Sequence, residues 1–99
     1  MRNPLIYLVV SALTLAACGT ELSIEGAKVA QRDGEIANCK HLGIVEGSES
    51  MGMSVADDRR SALNQVRNNV ALLGGNAFVI NDRFTTGLNT SIQADAYKC

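Results

Sequence analysis

The residues of this 99-residue chain that could do chemistry are few: Cys39 with His41, Met51 with Met53, the acidic pair Asp57-Asp58, and Gly74-Gly75-Asn76. A thiol with an imidazole as its base would be a nucleophile. Cys39 and His41, however, lie two steps apart on one predicted strand face, about 7 Å, which is too far for a direct hydrogen bond. The Met-x-Met pair offers two thioethers, which suit Cu(I), and His41 could add a third ligand. Methionines of small domains more commonly fill gaps or sit in loops. The expectation is therefore no metal, with Met51, Met53 and His41 as the minority set. Gly74-Gly75-Asn76 follows a predicted helix instead of opening one, so it reads as a cap and turn and not as a phosphate cradle. Asp57 and Asp58 are adjacent and point different ways, which suits helix capping better than acid–base work. With no paired-carboxylate, Walker or serine-triad pattern, the chain is expected to be neither an enzyme nor a cofactor binder.

Composition narrows the choice further. The chain carries nine Lys and Arg against ten Asp and Glu, with two Tyr, two Phe and no Trp. Nucleic acid calls for clustered cations and stacking rings, and neither is present. The length allows one small domain.

The first eighteen residues read as an export signal. Arg2 precedes an apolar run, Leu5 to Leu15, and the small pair Ala16-Ala17 precedes Cys18. Eleven helical residues rise only about 16 Å, roughly half the hydrocarbon core, so the run is too short to span a membrane. Leu15-Ala16-Ala17-Cys18 resembles the lipobox of bacterial lipoproteins. That resemblance implies cleavage between Ala17 and Cys18 and acylation of Cys18 by diacylglyceryl and palmitate chains. The organisation expected is a signal peptide over 1–17, a lipidated start and short tether over 18–25, and a domain over 26–99. Gly19 lacks the aspartate that favours inner-membrane retention in Gram-negative cells. The expected place is therefore the periplasmic face of the outer membrane, with the bilayer as partner through the acyl chains.

With Cys18 assigned to lipid, Cys39 and Cys99 remain, and two thiols allow only one internal pairing. An exported compartment is oxidising, so a disulfide is the expected state, with a reactive or metal-binding pair as the alternative. Without a staple, a domain of about 80 residues is only marginally stable.

The elements that position these residues follow from periodicity. Ala27–Arg32 reads as a strand closed by Asp33-Gly34. Asn38–Gly47 reads as a second strand, with Leu42 and Ile44 on one face and Cys39, His41 and Val45 on the other. Ser48–Met53 is a loop. Ser54 and Asp57 have capping-box spacing, and Leu63, Val66, Val70 and Leu73, with Ala62, form the apolar stripe of a helix closed by Gly74. Asn76–Phe84 is a third strand with Phe78 and Ile80 on one face, and Thr85–Thr90 is a polar loop. In Ser91–Cys99, Ile92, Ala94 and Ala96 face one way, and Gln93, Asp95, Tyr97 and Cys99 face the other. The order β-β-α-β-β predicts a two-layer α+β domain, one helix on a four-stranded, mostly antiparallel or mixed sheet. A parallel relation between the strands flanking the helix would make the sheet mixed.

The chain resembles the YjeI-like bacterial lipoproteins, a domain of unknown function. The matching pieces are Cys39 with Leu42-Gly43, Val45 and Gly47; Arg67-Asn68 through Ala71 and Leu73-Gly74-Gly75-Asn76; and Tyr97-Lys98-Cys99. The resemblance implies a lipid-anchored envelope protein with a Cys39–Cys99 bridge. A fainter similarity, in Asn76-Ala77-Phe78-Val79, is to the RcsF envelope-stress lipoproteins, which differ in having a long proline-rich tether and two disulfides. The expectation is a lipid-anchored envelope module acting through protein or envelope contacts. The alternatives are envelope-stress sensing and periplasmic copper or other metal handling.

Overall fold

Ser54 opens the helix as its spacing requires: its Oγ accepts the Asp57 N–H at 3.1 Å, and Asp57 and Asp58 occupy the first turn. In the computed structural model, which describes residues 19–50, 52–87 and 89–99, α1 runs Val55–Leu72. It ends where Gly74 turns to φ +84°, and the N–H groups of Gly74 and Gly75 return to the carbonyls of Ala71 and Val70.

The strands are β1 (Ala30–Gln31), β2 (Lys40–Glu49), β3 (Ala77–Thr86) and β4 (Asn89–Lys98). They form one four-stranded sheet in the order β1-β3-β4-β2. β4 runs antiparallel to both β2 and β3, so the two strands flanking α1 point the same way with β4 between them. The mixed character comes instead from β1, which pairs parallel with β3. The two-layer α+β architecture expected from the sequence is the one observed.

The core lies between α1 and one face of the sheet. Ala62, Val66 and Val70 are fully buried against Val45, Phe78, Ile92, Ala94 and Ala96, with Val29 closing one side. The buried stripe thus runs at steps of four from Ala62, rotated from the predicted one; Leu63 is only half-buried, and Leu73 is 48% exposed. Gly47 accounts for the rotation. A Cβ there would collide with the carbonyl oxygen of Ala62, so the helix backbone sits directly on the strand and presents its smallest side chain. Gly47→Ala should therefore force the layers apart and cost about 1–3 kcal/mol, read as a lowered urea midpoint. An unchanged midpoint would contradict this packing.

The polar flanks of α1 hold the neighbouring chain. On one side Gln65 brackets Ser48, accepting its N–H at 3.1 Å and donating to its carbonyl at 2.7 Å, while Asn69 donates to the Glu46 carbonyl at 3.1 Å. These bonds satisfy the free edge of β2, which therefore extends to Glu49 through part of the predicted loop. On the other side the Thr20 N–H donates to Ser61 Oγ at 2.7 Å, and Asn64 donates to the Thr20 carbonyl at 2.9 Å. Asn68 donates to the Glu21 carbonyl and accepts the Ser23 N–H, each at 2.9 Å. Residues 20–23, expected to be a free tether, are thus strapped along the helix.

Two further expectations change. The predicted first strand shrinks to β1 because Ser23 Oγ accepts the Gly26 N–H and a 3-10 turn, Gly26–Lys28, takes its first residues. The predicted loop over Thr85–Thr90 is mostly strand: Thr85 pairs with Thr90 and Thr86 with Asn89. Among the described residues no helix is long and apolar enough to cross a membrane.

Candidate functional site

Helix α1 covers one face of the sheet and leaves the other open. What stands on the open face is set by an irregularity in β2. His41 lies opposite Tyr97, yet the next paired residue is Gly43, opposite Ala96, so Leu42 is an extra residue. Gly43 takes φ +152°, a conformation in which a side chain would be strained, and the space around it is otherwise adequate. This bulge switches the alternation. Val45 and Gly47 turn into the core, while His41 shares the open face with Ile44 and Glu46. Sequence alternation had placed His41 and Val45 together and Ile44 opposite.

The centre of the open face is a carboxylate with two donors. Asp95 Oδ1 meets His41 Nε2 at 2.9 Å, and Asp95 Oδ2 accepts from Asn81 Nδ2 at 2.9 Å. Asn81 reaches this position because it is the extra residue of a second bulge, between Ile80 and Asp82. Tyr97 packs edge-on against the His41 ring with centroids 5.2 Å apart. Ile44, 59% exposed, and Val79 both pair with Asp95; farther along the same face Glu46 accepts from Gln93 at 3.4 Å and Phe84, 54% exposed, stands opposite Ser91.

The Asn81 hydrogen bond first, and the His41 hydrogen bond second, hold the Asp95 carboxyl below an aspartate's ordinary 3.8. A carboxyl lowered on folding contributes stability that is complete above that value and is lost as pH falls through the lower folded one. Asp95→Asn should consequently be less stable than wild type near pH 6, with the gap closing below about pH 3.8. A gap that persists undiminished into strong acid would contradict this.

At one end of this face the sheet is locked. Cys39 and Cys99 form a disulfide across β2 and β4. Asn76 adds a second hold on the same terminus, donating to the Cys99 carbonyl at 2.9 Å and accepting its N–H at 2.8 Å. Gly75 fits beneath, where a Cβ would press on the Tyr97 carbonyl and Val70. The Gly-Gly-Asn and Tyr-Lys-Cys pieces, far apart in sequence, are therefore one contact.

The remaining predicted residues fall elsewhere. Cys39 is committed to the bridge and is no nucleophile for His41. Met53 is 90% exposed beyond the far end of β2 from His41. The eight steps from His41 to Glu49 alone span about 26 Å, so His41 and Met53 cannot share an ion. Of the three residues weighed for copper, Met51 lies outside the described residues, as do Ala17 and Cys18. Among the described residues no cluster of three or more His, Cys, Asp or Glu is placed to hold a metal. Met53 instead lines a shallow cleft with Gly19, Thr20, Asp57, Arg60 and Ser61. Asp58, buried in the same region, accepts the Gly52 N–H at 2.6 Å and ties that loop to α1.

Sequence reasoning missed the Asp95 group, although a signal existed. A Cys39–Cys99 bridge between antiparallel strands sets His41 opposite Tyr97 and one diagonal step from Asp95. Nothing comparable marks Asn81, whose place depends on the bulge.

A family model described as Domain of unknown function (DUF4156) matches residues 20–99. No curated protein and no solved structure matches the chain.

Proposed function

The chain belongs to the DUF4156 family, and we propose that it is a lipid-anchored, non-catalytic envelope module that presents the open face of its sheet to a protein partner. The observation that carries this reading is the uncovered face itself. Two large apolar side chains, Ile44 beside Asp95 and Phe84 farther along, stand exposed on the face of a disulfide-locked sheet that also carries the hydrogen-bonded His41–Asp95–Asn81 group. Apolar anchors among fixed polar groups suit recognition of a protein surface. The anchor rests on the lipobox, Leu15-Ala16-Ala17-Cys18, and on the likeness to the YjeI-like lipoproteins; Gly19 favours the outer membrane, periplasmic face.

The test is photocrosslinking in intact cells with a photoreactive residue at Ile44, compared with one at the exposed Leu72 on α1. Discrete adducts are expected at Ile44, absent at Leu72, and lost when Phe84→Lys is added. Equal labelling at both positions, or adducts indifferent to Phe84→Lys, would count against the face. A second reading, envelope-stress sensing, draws on the RcsF-like segment Asn76–Val79, where Asn76 clamps Cys99. It predicts that deleting the protein shifts an envelope-stress reporter, and an unmoved reporter would end it.

A further inference from the structure

We propose that the pole of the domain formed by Gly19, Met53 and the first turn of α1 rests on the bilayer surface, so that the anchor holds the domain in one fixed orientation. This rests on the anchoring reading above and deepens it. The strap is what removes the freedom. Thr20 is held by Ser61 and Asn64, and Glu21 and Ser23 by Asn68, so Gly19 is the one residue between Cys18 and the fixed chain. The two steps from Cys18 to Thr20 span at most about 7 Å. An acylated Cys18 therefore brings its bilayer within that reach of the Ser61 end of the helix and of nothing at the disulfide end.

The side chains at this pole fit a lipid interface. Met53 is almost wholly exposed, and Val55 is 44% exposed. Arg59 and Arg60 add cations for phosphate headgroups. Arg60 also pairs with Asp57 at 3.1 Å, and Glu49 is engaged by Ser61, so the pole is mixed in charge. Its contact with lipid is enforced by the anchor and is not an electrostatic capture. The open sheet face then stands sideways to the membrane, with the Cys39–Cys99 end pointing away.

The chain contains no Trp, so one introduced indole reports one position. Acylated protein beginning at Cys18 and carrying Met53→Trp, or Asn38→Trp at the disulfide end, is reconstituted into phosphatidylcholine–phosphatidylglycerol vesicles containing brominated lipid. Met53→Trp should lose at least half its emission, and Asn38→Trp almost none. Inserting ten Gly and Ser residues after Gly19, a spacer of roughly 17–19 Å, should bring the Met53→Trp quenching down to the Asn38→Trp level. Equal quenching at both positions in acylated protein, or quenching unaffected by the spacer, would overturn the orientation while leaving the anchor standing. Protein whose intact mass lacks acyl groups would overturn the anchor, and the orientation with it.

Discussion

Cys39→Ser should lower the unfolding free energy by about 4 kcal/mol and the melting midpoint by roughly 15–30 °C. The bridge spans 60 residues of sequence, and the chain-entropy account of such a loop gives that magnitude. The core explains why the loss is serious. Its fully buried side chains are mostly alanine and valine, with Phe78 the largest, and so small an apolar interior leaves little margin. The bonds from Asn76 to Cys99 remain in the variant and keep β4 in register, so the effect should appear in stability and not in a changed fold. Reduced wild type should match Cys39→Ser. An oxidised wild type melting at the same temperature as the variant would mean that the bridge carries no stability.

The second large effect concerns location. Under the anchoring reading, Cys18→Ala abolishes incorporation of labelled palmitate and leaves the signal segment uncleaved. Each buried acyl methylene contributes about 0.8 kcal/mol; one chain holds a protein only reversibly, while two or more hold it firmly. The wild type should therefore stay in the membrane fraction through a high-salt wash, because salt screens charge and leaves acyl burial intact. Palmitate incorporation unchanged in Cys18→Ala would place the lipid elsewhere or nowhere.

The order of elements was readable because periodicity records which face is buried. Ile92, Ala94 and Ala96 alternate without interruption and all face the helix. Ser54, Asp57 and Gly74 mark the two ends of α1 through backbone bonds made within a few residues. The disulfide was readable for a simpler reason, since assigning Cys18 to lipid left one pair.

What was hidden depends on contacts between distant segments. The bulges at Leu42 and Asn81 each insert one residue, and nothing local in the sequence says where the alternation slips. As a result His41 was placed on the wrong side relative to Val45 and Ile44, and the Asp95 group went unseen. Asn64, Gln65, Asn68 and Asn69 send their bonds to backbone atoms 17 to 47 residues away. The backbone carries no residue code for that pairing. The same bonds turned an expected tether into a strap, and that change gives the anchoring reading its geometric consequence.

Intact-mass measurement of the native protein purified from membranes reads the anchor and the bridge together. The expected species begins at Cys18, carries the mass of two or three acyl chains, and is two hydrogens lighter than its reduced form for the Cys39–Cys99 bond. A species that retains residues 1–17, or one that begins at Cys18 without added lipid, would contradict the anchoring reading.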